Sequence, residues 1–237
     1  GLSTWFTTIL PLDGQIYVAS LGQEFNDPAD RADGVVRVDG RTGTAELLFA
    51  PPAQYRGPRD VIGLAAGDDG LFVACSNGSV YLIDPEGQIR WQVHVGDPIV
   101  GPPLAVDLNR DGTTDVVVVT RATKGTSAKV VALNGHSGKT IWATTFAKPP
   151  AGETMLGATL ALGRLQAEGG PELIATLPSG DVAVLNPRNG EVRHQQTLPG
   201  GTIAGALCRA AGPETGPPAY FGDRGAGIWS LIAADRK

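Results

Sequence analysis

Short apolar runs, rich in valine and other β-branched residues, alternate along the whole chain with polar turns that contain glycine. Residues 71–75 (LFVAC), 104–106 (LAV), 116–120 (VVVVT) and 204–208 (AGALC) are of this kind, and each is short enough to read as a strand rather than a helix. The pattern also repeats. A strand, a tight turn and a second strand recur at residues 34–43 (GVVRVDGRTG), 79–87 (SVYLIDPEG), 129–138 (KVVALNGHSG) and 181–190 (DVAVLNPRNG). The closing glycines, Gly43, Gly87, Gly138 and Gly190, are spaced by 44, 51 and 52 residues. Four residues after the glycine stand Leu47, Trp91, Trp142 and His194 in turn. Each unit therefore reads as four strands, and such a period is that of a propeller blade.

The expected architecture is all-β: a β-propeller of about five four-stranded blades forming a single domain over 1–237. The blades fall at approximately 6–50, 57–95, 96–147, 152–199 and 200–237. The predicted strands are 8–12, 15–20, 34–38 and 45–49; then 61–65, 71–75, 79–83 and 89–93; then a third set from about 99 to 146. Strands 158–162, 172–176, 181–185 and 192–197 make the fourth blade, and 203–208, 219–222 and 227–232 the fifth. The last blade lacks its outermost strand. Gly1-Leu2-Ser3-Thr4-Trp5 repeats the Gly-x-x-x-Trp pattern and could supply it. Yet Trp5 is only 12 residues from Tyr17, whereas 25 separate Trp91 from Val116. Closure of the last blade by the first strand and an open, excised arc both stay in view on that reach.

Composition narrows the functional classes. The 237 residues include 33 Gly and 18 Pro, yet 42% are hydrophobic, so the chain is turn-rich and able to bury a core. A net charge of −5 argues against nucleic acid as a partner. No apolar run approaches the roughly 20 residues that span a bilayer, and no signal peptide opens the chain. The first residue is not Met, as expected of a trimmed product or an excised segment. Cys75 and Cys208 sit in apolar strands and read as buried thiols, with no CxxC pair to indicate zinc or redox chemistry.

The stretch with most chemistry is 107–115 (DLNRDGTTD). Asp107, Asn109, Asp111 and Asp115 supply oxygen donors at loop positions one, three, five and nine. Thr113 adds a backbone carbonyl, and Gly112 permits the turn at position six. Hard oxygen donors at this spacing match the first part of an EF-hand calcium loop. The twelfth position is Val118, not glutamate, and strands rather than helices flank the loop. The expected metal is Ca2+, held by Asp107, Asn109, Asp111, Thr113 and Asp115, against the alternative of a polar hairpin tip.

Two resemblances follow from these residues. The run 132–142 (ALNGHSGKTIW) resembles the quinoprotein-like (PQQ-like) repeat, and 101–119 (GPPLAVDLNRDGTTDVVVV) resembles the FG-GAP repeat of integrin-type propellers. The second resemblance implies calcium on the same five residues. It also aligns 164–172 (RLQAEGGPE) with the loop, but Arg164 and Gln166 replace the first two ligands. One calcium site and one degenerate loop are therefore expected. By the same resemblance Trp91 and Trp142 dock between neighbouring blades.

No catalytic or cofactor-binding residue is nominated. His94, His136 and His194 fall at similar places in different blades and are not expected to converge. The adjacent cysteines that often accompany pyrroloquinoline quinone sites are absent. The acidic loop from Glu24 to Asp33 reads either as a binding loop or, by preference, as a solvated insertion. Arg59, Asp60, Asp68 and Asp69 read in the same bland way. The expected function is a calcium-stabilised, extracytoplasmic module (secreted, periplasmic or cell-surface) that binds a protein or glycan partner. An enzyme or sensor with a ligand site at the central channel is the alternative.

Overall fold

The computed structural model describes residues 6–21, 33–52, 60–123, 126–147, 158–163, 170–197, 203–208, 219–223 and 228–231; side chains are described up to residue 197. The Gly1–Trp5 pattern, Arg59, the loop from Arg164 to Glu168 and nearly all of the acidic loop lie outside them. No helix long and apolar enough to cross a membrane occurs among the described residues.

The chain is an all-β propeller built from consecutive antiparallel sheets. The first holds β1 (Phe6–Leu12), β2 (Gln15–Leu21), β3 (Asp33–Asp39) and β4 (Ala45–Phe49). The second holds β5 (Val61–Gly67), β6 (Gly70–Cys75), β7 (Ser79–Ile83) and β8 (Ile89–His94). The third holds β9 (Leu104–Val106), β10 (Asp115–Thr120), β11 (Lys129–Leu133) and β12 (Thr140–Thr145). The fourth holds β13 (Leu160–Gly163), β14 (Glu172–Thr176), β15 (Asp181–Leu185) and β16 (Val192–Thr197). Three strands make the fifth: β17 (Ile203–Cys208), β18 (Ala219–Asp223) and β19 (Ile228–Leu231).

Burial explains why the middle strands are apolar without alternation. Every residue of β7, β10 and β14 is buried, because each lies between two neighbouring sheets and has no solvent face. The sheets share their cores in sequence. Tyr17, Ala19, Val35 and Phe49 of the first pack on Leu64, Val73 and Tyr81 of the second. Phe72, Ala74 and Leu82 on its other face meet Val116, Val118 and Val131 of the third. Val117, Val130 and Trp142 then meet Leu173, Ala183 and Leu185 of the fourth. Cys75 is wholly buried within the first of these cores.

The tryptophans fasten successive blades. Trp91 donates Nε1–H to the Gly135 carbonyl at 2.8 Å and lies on Gly138. Trp142 donates to the Pro187 carbonyl at 2.8 Å and lies on Gly190, where an added Cβ would fall 2.5 Å from the indole ring. Both glycines have φ near +70°, so the turn and the ring together exclude a side chain. In the first blade the docking role falls to Leu48, which lies against Gly87. The spacing alone points to Leu47. The next three blades have a bulge in the corresponding pairing directly after the turn, at Leu82/Ile83, Ala132/Leu133 and Val184/Leu185, whereas the first blade's lies two pairs further on, between Val35 and Val36, and its docking residue falls one position later. His194 takes the tryptophan's place on β16, a strand exposed at every residue.

At the opposite end from these turns, Asp97 is buried and pairs with Lys129 Nζ at 3.1 Å and Thr123 Oγ1 at 3.2 Å. Burial pushes its pKa upward, but hydrogen bonds from Thr126, Lys129 and Thr123 outweigh this and hold it below the ordinary carboxylate value. A depressed folded-state pKa contributes stability that is present above the unfolded value and lost as pH falls through the folded one. The stability advantage of the native protein over Asp97→Asn is therefore expected at neutral pH and to shrink below about pH 4. Denaturant melts of both proteins from pH 7 to pH 3 check this; an advantage that grows with acidification would contradict it.

Candidate calcium loop and its neighbours

The 107–115 loop joins the innermost strand of the third blade, β9, to β10. It folds around the Asp107 carboxylate, which accepts the backbone N–H groups of Arg110 at 2.6 Å, Asp111 at 3.2 Å and Gly112 at 3.0 Å. Arg110 and Gly112 both take left-handed φ, 66° and 88°, which wraps the chain tightly enough for one carboxylate to reach three amides. Asn109 Oδ1 accepts Asp111 N–H at 3.0 Å, and Asp111 Oδ1 accepts Thr113 N–H at 2.8 Å. Asn109 Nδ2 donates to Asp111 Oδ2 at 2.7 Å, and this bond leads those that hold the Asp111 carboxyl below its usual range.

Asp115 is different. It is wholly buried at the start of β10. Its oxygens accept Leu108 N–H at 3.4 Å, Gly135 N–H at 3.1 Å and Asn134 Nδ2 at 3.4 Å. No basic side chain pairs with it among the described residues. Burial, with the charges of Asp111 and Asp107 adding to it, pushes its pKa up despite those hydrogen bonds. The fourth blade makes the contrast plain. Glu172 occupies the same register position, one residue before the strand's first core pair, and is buried too, but Arg193 Nη1 meets it at 2.8 Å. One blade neutralises its buried carboxylate with arginine. The other leaves it among carboxylates.

Two neighbouring turns support the loop. Asp68, on the β5–β6 turn, accepts Thr114 N–H at 2.7 Å and Thr114 Oγ1–H at 2.6 Å, and Thr114 in return holds Asp68 below the ordinary carboxylate value. A shallow depression lined by Asp68, Asp69, Phe72, Thr114 and His136 lies beside it. His136 Nδ1 and Asp69 approach to 3.9 Å there, both largely exposed. The bland sequence reading of Asp68 missed a residue that ties two blades together, and Asp60 is buried with Ser76 rather than solvated. Nothing in an Asp-Asp-Gly turn marks one aspartate as the partner of a threonine 46 residues on.

Five oxygen donors of the kind calcium prefers therefore lie on one loop. As the loop stands, its carboxylates are spent on its own amides, and no three acidic, histidine or cysteine side chains converge as metal ligands among the described residues. The chemistry of the donors and the uncompensated Asp115 fit a hard cation. His94, His136 and His194 lie on three separate elements (β8, the β11–β12 turn and β16).

Residues 32–223 match the family described as Outer membrane protein assembly factor BamB. No curated protein sequence matches the chain. Among solved structures, BamB from Moraxella catarrhalis is similar over 87% of this chain and 51% of its own, with 18% identity and a TM-score of 0.53. The quinohemoprotein alcohol dehydrogenase ADHIIG from Pseudomonas putida HK5 is similar over 95% of this chain and 42% of its own, at 17% identity and a TM-score of 0.60. The Pan2 WD40 domain of Neurospora crassa is similar over 96% of this chain and 65% of its own, at 14% identity and a TM-score of 0.56. At these identities the structural likenesses speak for the fold, and the chain spans about half the length of the first of them. With four-fifths of its length matched and the propeller in place, the chain belongs to the BamB family of PQQ-like β-propellers.

Proposed function

We propose that this propeller is an extracytoplasmic binding scaffold for a protein partner, with the β9–β10 loop of its third blade stabilised by calcium. Buried Asp115 carries the calcium reading: it is a carboxylate without a counter-charge at a position where the next blade supplies arginine. Asp107, Asn109, Asp111, the Thr113 carbonyl and Asp115 would hold the ion, which supplies the missing positive charge and a rigid link between β9 and β10. Taking a buried charge from unpaired to paired is where such a contact gains most. The degenerate loop of the fourth blade needs no ion, since Arg193 already neutralises Glu172. Calcium at extracellular concentrations fills even a weak site, which supports a location outside the cytoplasm, as does the outer-membrane setting in the family's description. A protein partner follows from the same description, and a glycan is the other ligand class the loop face could take.

The scaffold reading is tested by photo-crosslinking from Asp69 and His136, exposed beside the loop, in the native host with calcium and with chelator. Protein adducts that chelation removes are expected. Absence of protein adducts, or adducts indifferent to chelation, would contradict the reading; capture of glycan instead would replace the partner class.

A further inference from the structure

The connection from β9 to β10 is longer than a hairpin needs. Its described counterparts in the first and second blades are two-residue turns, 13–14 and 68–69, the length that most often joins antiparallel strands. The third blade uses residues 107–114. Two side chains in this added length reach toward the fourth blade. Leu108, the loop's one apolar residue, is 2% exposed and belongs to the core that the third and fourth blades share, with Val117, Leu173 and Leu185. Arg110 is exposed, and its Nη2 lies beside Gly170, 3.5 Å from where a Cβ added to that glycine would stand. Arg110 takes a left-handed φ of 66°, a conformation unfavourable for any residue with a side chain and kept only where its surroundings fix it.

Each of these two residues has its amide held by a donor of the candidate calcium site. Asp115 accepts Leu108 N–H at 3.4 Å, and Asp107 accepts Arg110 N–H at 2.6 Å. We infer that the loop is a cation-controlled latch between the third and fourth blades, with Leu108 and Arg110 as its two arms. An ion held by Asp107 and Asp115 restrains the residues that meet the next blade, and so tightens the fourth blade on the third. This rests on the calcium reading above. By linkage the coupling runs both ways: a fourth blade seated firmly on the third raises the affinity for the ion. The second blade meets the loop through Asp68 and Thr114, neither of them a donor. The first blade packs on the second and serves as the distant reference.

Hydrogen exchange of the whole chain in calcium and in chelator tests this, since it reads local opening blade by blade. Amides of β13 and β14 are expected to slow in calcium at least tenfold more than those of β2 and β3. In Leu108→Ala and in Arg110→Ala that excess should fall at least threefold, while calorimetric titration still finds one calcium ion per chain. Arg110 is exposed, so its variant reads the latch even if loss of buried Leu108 prevents folding. Calcium that slows all blades equally, or an excess that survives in Arg110→Ala and in any folded Leu108→Ala, overturns the latch and leaves the calcium reading in place. Folded wild-type protein that takes up no calcium at millimolar concentration overturns both, and the titration identifies that case by itself.

Discussion

Replacing Trp142 with alanine is expected to destabilise the protein by about 3–5 kcal/mol, the range for deleting a buried aromatic side chain. The ring packs among Val117, Val130 and Leu185 at the junction of the third and fourth blades. Its loss empties a cavity there and also strands the Pro187 carbonyl, which accepts the indole N–H at 2.8 Å. The neighbouring Gly190 cannot fill the space by substitution, because its φ of +70° disfavours any side chain. Trp142→Phe should recover most of the packing but not the hydrogen bond, which contributes about 0.5–1.5 kcal/mol. Urea unfolding of the three proteins measures both effects. A loss below 1 kcal/mol for alanine would mean that the blades are held by strand cores alone.

The second large effect is expected from calcium. At free calcium a hundred times the dissociation constant, binding to the folded state adds about 2.7 kcal/mol. Asp111→Ala should abolish that gain while leaving the strands intact, since among the described residues Asp111 bonds within its own exposed loop. Asp115→Asn should separate the two roles of the buried carboxylate. In chelator it removes an uncompensated charge and is expected to cost little or even stabilise; in calcium it removes a ligand and is expected to cost most of the gain. In chelator the sign of the pH dependence follows from the raised pKa. Ionised Asp115 lowers wild-type stability relative to Asp115→Asn near neutrality, and the difference closes as pH falls toward the ordinary carboxylate value of about 3.9. A calcium response that survives Asp111→Ala would place the ion elsewhere.

Much of the architecture was legible because the blades repeat. The runs 79–83 and 181–185 are strands β7 and β15 as the turn-bounded pattern predicts, since a glycine turn between two apolar runs leaves the backbone few alternatives. The docking tryptophans were legible for the same reason: an indole four residues after a turn glycine recurs and has one place to go. The first blade shows the limit. Leu48 rather than Leu47 meets Gly87 where the bulge of the β3–β4 pairing lies further from the turn than in the next three blades, and the place of a bulge leaves no trace in the side-chain types. The loop's donors were legible from spacing, since Asp107, Asn109, Asp111 and Asp115 are local in sequence. Its supports were not. Asp68 reaches Thr114 and Gly135 reaches Asp115 across turns that only the packed sheets bring together. Arg193 as the counter-charge of Glu172 depends on a side chain crossing from β16 to the start of β14, past the strand between them. Pairings of that kind are properties of the assembled blade.

The central claim is that the 107–115 loop takes a calcium ion to neutralise Asp115. Isothermal titration of calcium into chelator-stripped protein measures this directly. One ion per chain, with the melting temperature rising as the site fills and magnesium a weak competitor, is the predicted result. Absence of binding at millimolar calcium, in protein shown to be folded, would contradict it and leave the loop a hairpin tip closed by its own amides.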